Sequence, residues 1–284
     1  MPLDKKRWII LGWVLLLVLT GCRQPRNYSK PNEPFFEGSY SENNQEFSGS
    51  IKVVSWNTNY AEKLDQIIKA LTEEETLKDA DVLLLQEMDD ASVDLLARTL
   101  KYNYVYYPAT IHHHHNKNFG NAVLSPWPLD DPNKIVLPNS DPDSKQDRNA
   151  VRANILIDEF EIAAYSVHLE HFWMLPGRSD SQVEVLVSQV GKERHPIIVG
   201  GDFNSWIPGS TELLDQLFGE IGLRRVSSSA EPTLEVVNGV NLVTDHIFAS
   251  EFFKSQAGVW QDFKVSDHSA VWVIMSLGDV KKHE

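Results

Sequence analysis

Cysteine is almost absent from this 284-residue sequence: Cys22 is the only one, which excludes an intrachain disulfide and a cysteine-rich zinc site. Basic residues are also few, since 26 Lys and Arg stand against 40 Asp and Glu, for a formal net charge of −14. Affinity for the phosphate backbone comes mainly from clustered Lys and Arg, so this balance argues against a general nucleic-acid binder. Hydrophobic residues make up 42% and charged residues 23%, which excludes both whole-chain disorder and a multi-span membrane protein.

The first 22 residues have the pattern of an export signal. A basic stretch over residues 5–7 precedes an apolar run over residues 8–19, which is too short for a comfortable membrane span. The Leu-Thr-Gly-Cys sequence that ends at Cys22 resembles the lipobox of bacterial lipoproteins. This resemblance implies removal of residues 1–21, lipidation of Cys22 and a membrane anchor in the bacterial cell envelope. The alternative is an uncleaved signal anchor with an incidental cysteine.

Composition divides the rest of the chain. Residues 23–50 are rich in Asn, Ser, Pro, Glu and Gln and show no helical or strand period, which predicts a flexible, lipid-anchored tether over 22–50. As a random coil this tether spans on the order of 30 Å and lets the domain work off the membrane surface. Without repeats or a second linker beyond Ile51, the sequence predicts one domain over 51–277 and a loose tail over 278–284.

Within the domain, short apolar runs alternate with amphipathic stretches. Strand-helix-strand order at the start, followed by hairpins, predicts a mixed α/β fold with two sheets packed face to face. Helices are predicted over 63–75, 91–101, 179–194 and 210–218. Strands are predicted over 51–57, 81–87, 104–108, 121–125, 153–157, 162–169, 196–200, 234–237, 242–248 and 269–276.

Carboxylate, amide and imidazole side chains follow or adjoin several of these strands. They are Asn57, Glu87, His168, Asp202, Asn204, Asp245, Asp267 and His268. Each has a structural explanation when taken singly, such as a turn, a helix cap or a buried core histidine. Together they predict one polar rim, whose oxygens suit a hard divalent cation and whose His and Asn donors suit phosphoryl oxygens.

The order of these motifs resembles the endonuclease/exonuclease/phosphatase superfamily. The motifs are Gln86-Glu87, Gly201-Asp202-Phe203-Asn204 and Ser266-Asp267-His268, and the resemblance covers about residues 51–277. Residues 119–125 look like the family's Gly-Asn-Ala-Ile-Leu-Ser strand. The resemblance implies a four-layer α/β (α+β) sandwich, in which two packed mixed β-sheets are flanked by helices.

The resemblance also implies a role for each site residue. Glu87, helped by Asn57 and Asp267, would hold Mg²⁺, for which Mn²⁺ can substitute. Asp202 and Asn204 would orient the attacking water, His168 would donate to the phosphate, and Asp245 would fix the tautomer of His268. Asn121 and Arg178 would contact the substrate. Whether His268 or Asp202 accepts the proton of the water stays open at this point.

The sequence therefore predicts an exported, Mg²⁺-dependent phosphoesterase that hydrolyses a phosphodiester, with nucleic acid among the candidate substrates. One alternative is a phosphatase or phosphodiesterase acting on lipid, inositol or sugar-phosphate head groups beside the membrane. Another is a catalytically inactive envelope lipoprotein, which predicts gaps at the motif positions, whereas all of them carry competent residues. The four consecutive histidines, His112–His115, are interpreted as an exposed polar loop, with binding of a borderline metal as the alternative.

Overall fold

The computed structural model describes residues 26–42, 45–171, 178–194, 196–227, 231–236, 240–250 and 253–277. The predicted signal peptide, the lipidation site Cys22 and the tail over 278–284 lie outside these residues. Within them, no helix is both long enough and apolar enough to cross a membrane.

The described residues contain strands β1 to β16 and helices α1 to α4. The strands are β1 (Arg26–Asn27), β2 (Phe36–Gly38), β3 (Ser50–Asn57), β4 (Val82–Met88), β5 (Asn103–Ile111), β6 (Asn118–Ser125), β7 (Leu129–Val136), β8 (Asn149–Ile157), β9 (Phe160–His168), β10 (Ile197–Asp202), β11 (Leu223–Arg225), β12 (Leu234–Val236), β13 (Val240–Leu242), β14 (Asp245–Ser250), β15 (Phe253–Trp260) and β16 (Ala270–Leu277). The helices are α1 (Leu64–Glu73), α2 (Asp90–Leu100), α3 (Arg178–Val190) and α4 (Ser210–Glu220).

Most strands belong to two large mixed sheets. The first has the order β1-β5-β6-β4-β3-β16-β15, with β2 also paired to β5. The second has the order β11-β14-β10-β9-β8-β7, and β12 pairs with β13 separately. The pairs β3–β4 and β9–β10 are parallel, whereas the neighbouring pairs are antiparallel.

Alternating side chains build three apolar layers between these elements. Val53 of β3 packs between the two sheets, together with Ile155 and Ile198 of the second sheet. Val54 points to the other side of β3, where α1 and α2 cover the first sheet. Helices α3 and α4 cover the outer face of the second sheet, where Phe218 is fully buried. Because both faces of the central strands are covered, their sequences are almost continuously apolar. The predicted four-layer sandwich is confirmed.

Local sequence explains where α2 begins and ends. The Asp89 side chain accepts a hydrogen bond from the backbone N–H of Ser92 (3.1 Å), which satisfies one of the unpaired donors of the first turn. At the other end, Lys101 adopts a left-handed conformation with φ 58°. The observed helices overlap all four predicted ones, and the ends differ by a few residues.

Three strands of the domain, β7, β11 and β15, were not among those predicted. β7 contains Pro132 at an irregularity in its pairing with β8, and proline weakens the sequence signal of a strand. β15 reads Phe-Lys-Ser-Gln-Ala-Gly-Val-Trp, which lacks alternation of apolar and polar residues. Its position is decided by pairing along its whole length with β16.

The segment predicted to be a flexible tether is packed on the domain from Arg26 onward. Arg26 pairs with Ile111 in the β1–β5 ladder, and further along the segment β2 also pairs with β5. The Phe35 ring stacks on Tyr107 with ring centroids 4.8 Å apart. The amino group of buried Lys134 donates to the carbonyl oxygens of Tyr28 and Glu33, at 2.9 Å each. The prediction of a structureless tether is therefore wrong for this part, because the average composition concealed aromatic anchors that fit the edge of β5.

Candidate active site

The carboxyl ends of the two parallel strand pairs meet at one edge of the sandwich. The register aligns Asn57 with Gln86 in the first sheet, and it aligns Asp202 with both His168 and Asp245 in the second. The chain needs glycine just before Asp202, because a Cβ on Gly201 would lie 1.9 Å from the carbonyl oxygen of Val167. The close approach of β9 and β10 thus sets Asp202 beside His168.

Asp202 lies at the centre of the predicted residues. Its Oδ2 atom is 3.1 Å from Asn57 Nδ2, 3.5 Å from His168 Nε2 and 3.6 Å from His268 Nε2. Its Oδ1 atom accepts a hydrogen bond from the backbone N–H of Asn204 at 2.9 Å. Burial raises the pKa of Asp202, and nearby Asp245 adds to this effect, although His268 opposes it.

His268 forms a buried pair with Asp245. The distance from His268 Nδ1 to Asp245 Oδ2 is 2.8 Å, and the same carboxylate oxygen accepts from the Thr244 hydroxyl at 2.9 Å. Burial alone would lower the pKa of His268, but the charges of Asp245 and Asp202 outweigh burial and raise this pKa above the usual 6.5. These charges therefore favour the imidazolium form of His268. The Ser266 hydroxyl donates to the Asn57 carbonyl oxygen at 2.8 Å, which fixes this segment to the end of β3.

Glu87 stands at an irregular point of β4. Its φ is 59°, and the β4–β6 register shifts between Leu85 and Met88. Such a conformation costs a non-glycine residue about 1–3 kcal/mol, and residues held in it cluster at functional sites. Here it accompanies a carboxylate whose Oε1 atom lies 3.2 Å from Asn57 Nδ2 and 3.9 Å from His168 Nε2. Burial raises the pKa of Glu87, with Arg148 and His268 opposing that rise.

The remaining predicted residues differ in their positions. Asp267 is exposed, and its charge acts on both Glu87 and His268. Asn204 donates to the Leu169 carbonyl oxygen at 2.8 Å, which holds the turn after β10. Asn121 is 1% exposed and donates to the Asn149 carbonyl oxygen at 2.7 Å, so it supports the rim from within the core. Arg178 begins α3, and its side chain lies outside the described part of the chain.

Comparison with known proteins decides the family. The model of the Endonuclease/Exonuclease/phosphatase family matches residues 54–268, a range that holds all the residues around Asp202. This chain belongs to the endonuclease/exonuclease/phosphatase family. Members of the family hydrolyse phosphoesters, and the resemblance found in the sequence is confirmed.

Relatives of the chain support the family and its fold. A curated relative is the UPF0294 protein of Vibrio parahaemolyticus, which is 29% identical over 118 residues that cover 42% of this chain and 41% of the relative. The match thus spans less than half the length of that protein. A family member from Beutenbergia cavernae superposes with a TM-score of 0.66 and 20% identity, covering 81% of this chain and 72% of the other. A mannosyl-6-phosphatase from Bacteroides thetaiotaomicron superposes with a TM-score of 0.59 and 16% identity, covering 78% and 98%.

Arg148 is a residue of this family member that sequence reasoning missed. Its Nε atom lies 3.0 Å from Glu170 Oε2, although the two groups lack the alignment of a hydrogen bond. The Arg148 charge acts on Glu87 and Asp202, and its Cζ atom lies 5.1 Å from the ring centroid of Phe119. A fixed guanidinium beside the central carboxylates suits a phosphoryl oxygen. In the sequence, a single arginine next to a strand does not indicate that it could bind a phosphoryl oxygen.

Tyr60 is a second residue that the sequence motifs did not single out. It is flanked by Asn59 and Ala61, and all three have positive φ, at 47°, 59° and 51°. The Tyr60 ring stacks on His115 at 4.5 Å between centroids and contacts His112 at 4.6 Å. These rings line a shallow pocket that also includes Glu87. Tyr60 therefore forms one wall of the pocket that contains Glu87.

The four histidines behave differently from one another. His112 is 6% exposed, and burial together with the neighbouring histidines lowers its pKa to about 4. His114 and His115 are exposed, whereas His113 hydrogen-bonds through Nδ1 to Gln146 Oε1 at 2.7 Å. In the described residues, groups of three ligands close enough for one metal occur elsewhere and not within this loop. The polar-loop interpretation therefore holds at His114 and His115, and it is wrong for His112, which packs into the wall of the pocket.

The donor set tests whether a divalent cation fits. Three carboxylates, Glu87, Asp202 and Asp245, are buried or nearly buried around one point, and the pKa values of the first two are raised. A bound cation would offset the unfavourable burial of these negative charges, and carboxylate oxygens are ligands of Mg²⁺ and Mn²⁺. Asp202, Asp245 and His268 lie close enough to share an ion, although the raised pKa of His268 disfavours the neutral form that binds a metal. Asn57 turns its amide nitrogen to Glu87 and Asp202, while its oxygen accepts from the Asn59 N–H at 3.1 Å, so in this conformation it orients the carboxylates.

Proposed function

We propose that this chain is a divalent-cation-dependent phosphoesterase that hydrolyses a phosphodiester by attack of water on phosphorus. The observation that carries the proposal is the position of the Asp202 carboxylate, which lies within 3.1–3.6 Å of Asn57, His168 and His268. This arrangement places a proton acceptor next to two imidazole rings.

Glu87 and Asp267 are the residues we expect to hold the cation, with Asn57 beside them. When bound there, Mg²⁺ or Mn²⁺ would supply positive charge to the phosphoryl group as negative charge builds on it. The burial of the Glu87 carboxylate supports this assignment, because burial disfavours its negative charge and a bound cation would offset that effect.

The chain's own residues divide the proton transfers between them. His268, kept protonated by Asp245, donates to a phosphoryl oxygen. His168 has a pKa far below its usual value, because it is buried and close to Arg148 and His268, so it acts as a neutral donor. Asp202 is left as the acceptor for the proton of the attacking water. This division of roles supports Asp202 rather than His268 as that acceptor.

Two substrate classes remain candidates within this function. A phosphodiester such as nucleic acid is the substrate that the sequence favours, although the net charge of −14 weighs against duplex DNA. A lipid, inositol or sugar-phosphate head group is the second, and the packing of the N-terminal segment beside the site favours it. We also propose that the chain is exported and anchored through lipidated Cys22 to a membrane of the bacterial cell envelope. An inactive binding protein would have no need to keep the repelling carboxylates.

The test uses the full chain and bis-p-nitrophenyl phosphate. We expect hydrolysis with Mg²⁺ or Mn²⁺, loss of hydrolysis with EDTA, and recovery when the cation is restored. Glu87→Gln should lower kcat at least about 100-fold. The matched control is Glu75→Gln, since the Glu75 side chain is 83% exposed and its backbone contacts Lys52 at the start of β3, the end opposite to Asn57. Turnover that resists EDTA, or an unchanged kcat in Glu87→Gln, would contradict the proposal.

A further inference from the structure

The N-terminal segment reaches the domain at the edge that carries the active site. β5 runs antiparallel to β6, and β6 runs antiparallel to β4, so β5 ends at Ile111 on the side where β4 delivers Glu87. Arg26 is the register partner of Ile111, and Asn27 is the partner of Thr110. The chain therefore enters at the active-site edge and then runs away from it.

Side-chain contacts fasten this entry point to the wall of the pocket. Arg26 Nη2 donates to Asn116 Oδ1 at 2.6 Å, and the Tyr28 hydroxyl donates to Asn118 Oδ1 at 3.0 Å. Asn118 lines the same pocket as Glu87, together with Lys117 and His115. We call Arg26 and residues 112–118 the entry rim.

The length of chain before Arg26 limits how far a membrane can lie from the entry rim. Cys22 precedes Arg26 by four residues, which span at most about 14 Å when fully extended. If the segment stays as an uncleaved anchor instead, the apolar run ends at Leu19, and seven residues span at most about 25 Å. Under both interpretations the entry rim lies beside the membrane that holds the N-terminus.

The charge of the entry rim fits an anionic lipid surface. Between Asp94 and Asp130 the sequence contains no Asp or Glu, in a chain that has 40 of them. Arg26, Lys117 and the histidines His114 and His115 are exposed on the rim. Lys117 also pairs with Asp89 at 3.2 Å and His115 Nε2 lies 4.0 Å from an oxygen of Glu62, so other loops compensate this charge in part.

We propose that the entry rim faces the membrane and that the active site takes phosphoesters presented by that membrane surface rather than soluble polymers. The orientation rests on the N-terminal contacts together with the proposed membrane anchor before Arg26, whereas the substrate class rests on the proposed phosphoesterase function. A site held this close to a lipid surface meets head groups at high effective concentration. A soluble polymer must instead enter between the rim and the bilayer.

The first experiment measures orientation without using activity. Full chain carrying His114→Cys, with a fluorophore on that cysteine, is reconstituted into phosphatidylethanolamine–phosphatidylglycerol vesicles that contain a nitroxide-labelled lipid. The matched control is Asp158→Cys, because Asp158 is exposed in the turn between β8 and β9, at the end of the sandwich opposite to His168. The unsubstituted chain reports any labelling of Cys22. We expect several-fold stronger quenching at position 114 than at 158, and equal quenching would overturn the orientation.

The second experiment separates the substrate class from the orientation. A long Gly/Ser linker inserted after Arg23 leaves every described contact in place but frees the rim from the membrane. We expect unchanged turnover of soluble bis-p-nitrophenyl phosphate, and a loss of about 10-fold or more on a lipid-linked p-nitrophenyl phosphodiester in vesicles. Retention of vesicle turnover would overturn the restriction to membrane substrates. Absence of turnover on both esters in every form would overturn the phosphoesterase function, and with it the substrate class, while the quenching result decides the orientation.

Discussion

His268 is held between two carboxylates, with Nδ1 2.8 Å from Asp245 Oδ2 and Nε2 3.6 Å from Asp202 Oδ2. Asp245 is fully buried and does not face the pocket wall formed by Tyr60. Its effect on the reaction therefore passes through the histidine, whose charge and orientation it sets.

Asp245→Asn should separate these two effects. The amide keeps the shape of the side chain but removes the charge that raises the pKa of His268, so this pKa should fall and kcat should drop about 100-fold. Nuclear magnetic resonance titration of His268 and steady-state kinetics measure the two changes. Asp215→Asn is the control, because Asp215 pairs with Arg225 on the surface. A lower kcat with an unchanged His268 pKa would assign Asp245 a purely structural role.

Arg148→Met should weaken binding of the phosphoryl group. Loss of the guanidinium beside Glu87 and Asp202 should raise KM about 10-fold, while Arg148→Lys should recover part of the loss, since lysine restores charge but not the planar fork. The inhibition constant of inorganic phosphate provides a second measurement of the same interaction. An unchanged KM and phosphate inhibition in Arg148→Met would remove Arg148 from the substrate site.

The left-handed backbone at Tyr60 predicts an unusual order of stabilities. Tyr60→Ala and Tyr60→Gly both remove the ring stacked on His115, but only glycine adopts φ 59° without strain. We therefore expect Tyr60→Gly to be more stable than Tyr60→Ala by about 1 kcal/mol in urea unfolding. In most ordered positions alanine is the more stable of the two, so the usual order here would refute the strained conformation.

His246 should contribute to acid sensitivity. It is fully buried with Nε2 2.7 Å from the Ser205 hydroxyl oxygen, and burial, aided by Arg225, lowers its pKa to about 4. In the unfolded chain, His246 binds a proton as the pH falls through about 6.5, whereas in the folded chain it does so only near pH 4. Its contribution to stability is therefore fully present above about pH 6.5 and is lost as the pH falls from there toward 4. The titration of His246 should therefore lower the free energy of unfolding by about 2 kcal/mol at pH 5 relative to pH 7.

His246→Gln tests that assignment. The glutamine cannot titrate, so the difference in unfolding free energy between the variant and the unchanged chain should shrink as the pH falls from 7 to 5. Denaturant unfolding at several pH values measures it. A difference that stays constant with pH would show that His246 does not titrate on unfolding.

The grouping of Glu87, His168 and Asp202 was largely predictable, because each ends or follows an apolar strand and the strand ends of parallel pairs share an edge. Asp245 and His268 needed the order of motifs, since their strands carry no distinctive pattern. Arg148 and Tyr60 could not be predicted, because their positions depend on how separate loops pack. Asn121 was visible as part of a motif, but its burial against Asn149 depends on the second sheet.

The wrong prediction of a structureless tether over residues 26–42 has the same cause, because its packing depends on segments that are distant in the sequence. Polar residues dominate this segment, and composition averages over the whole stretch. Tyr28 and Phe35 are too widely spaced to create a strand period, yet each has a specific partner on the domain. Their binding depends on the open edge of β5, which no local sequence reveals.

That open edge bears on how the protein is produced. A shortened form that begins near residue 48 removes β1 and β2 and leaves the main-chain donors and acceptors of β5 exposed along one side. Exposed strand edges recruit one another, so such a fragment should aggregate. Crystallisation trials are better served by a soluble form that starts upstream of Arg26.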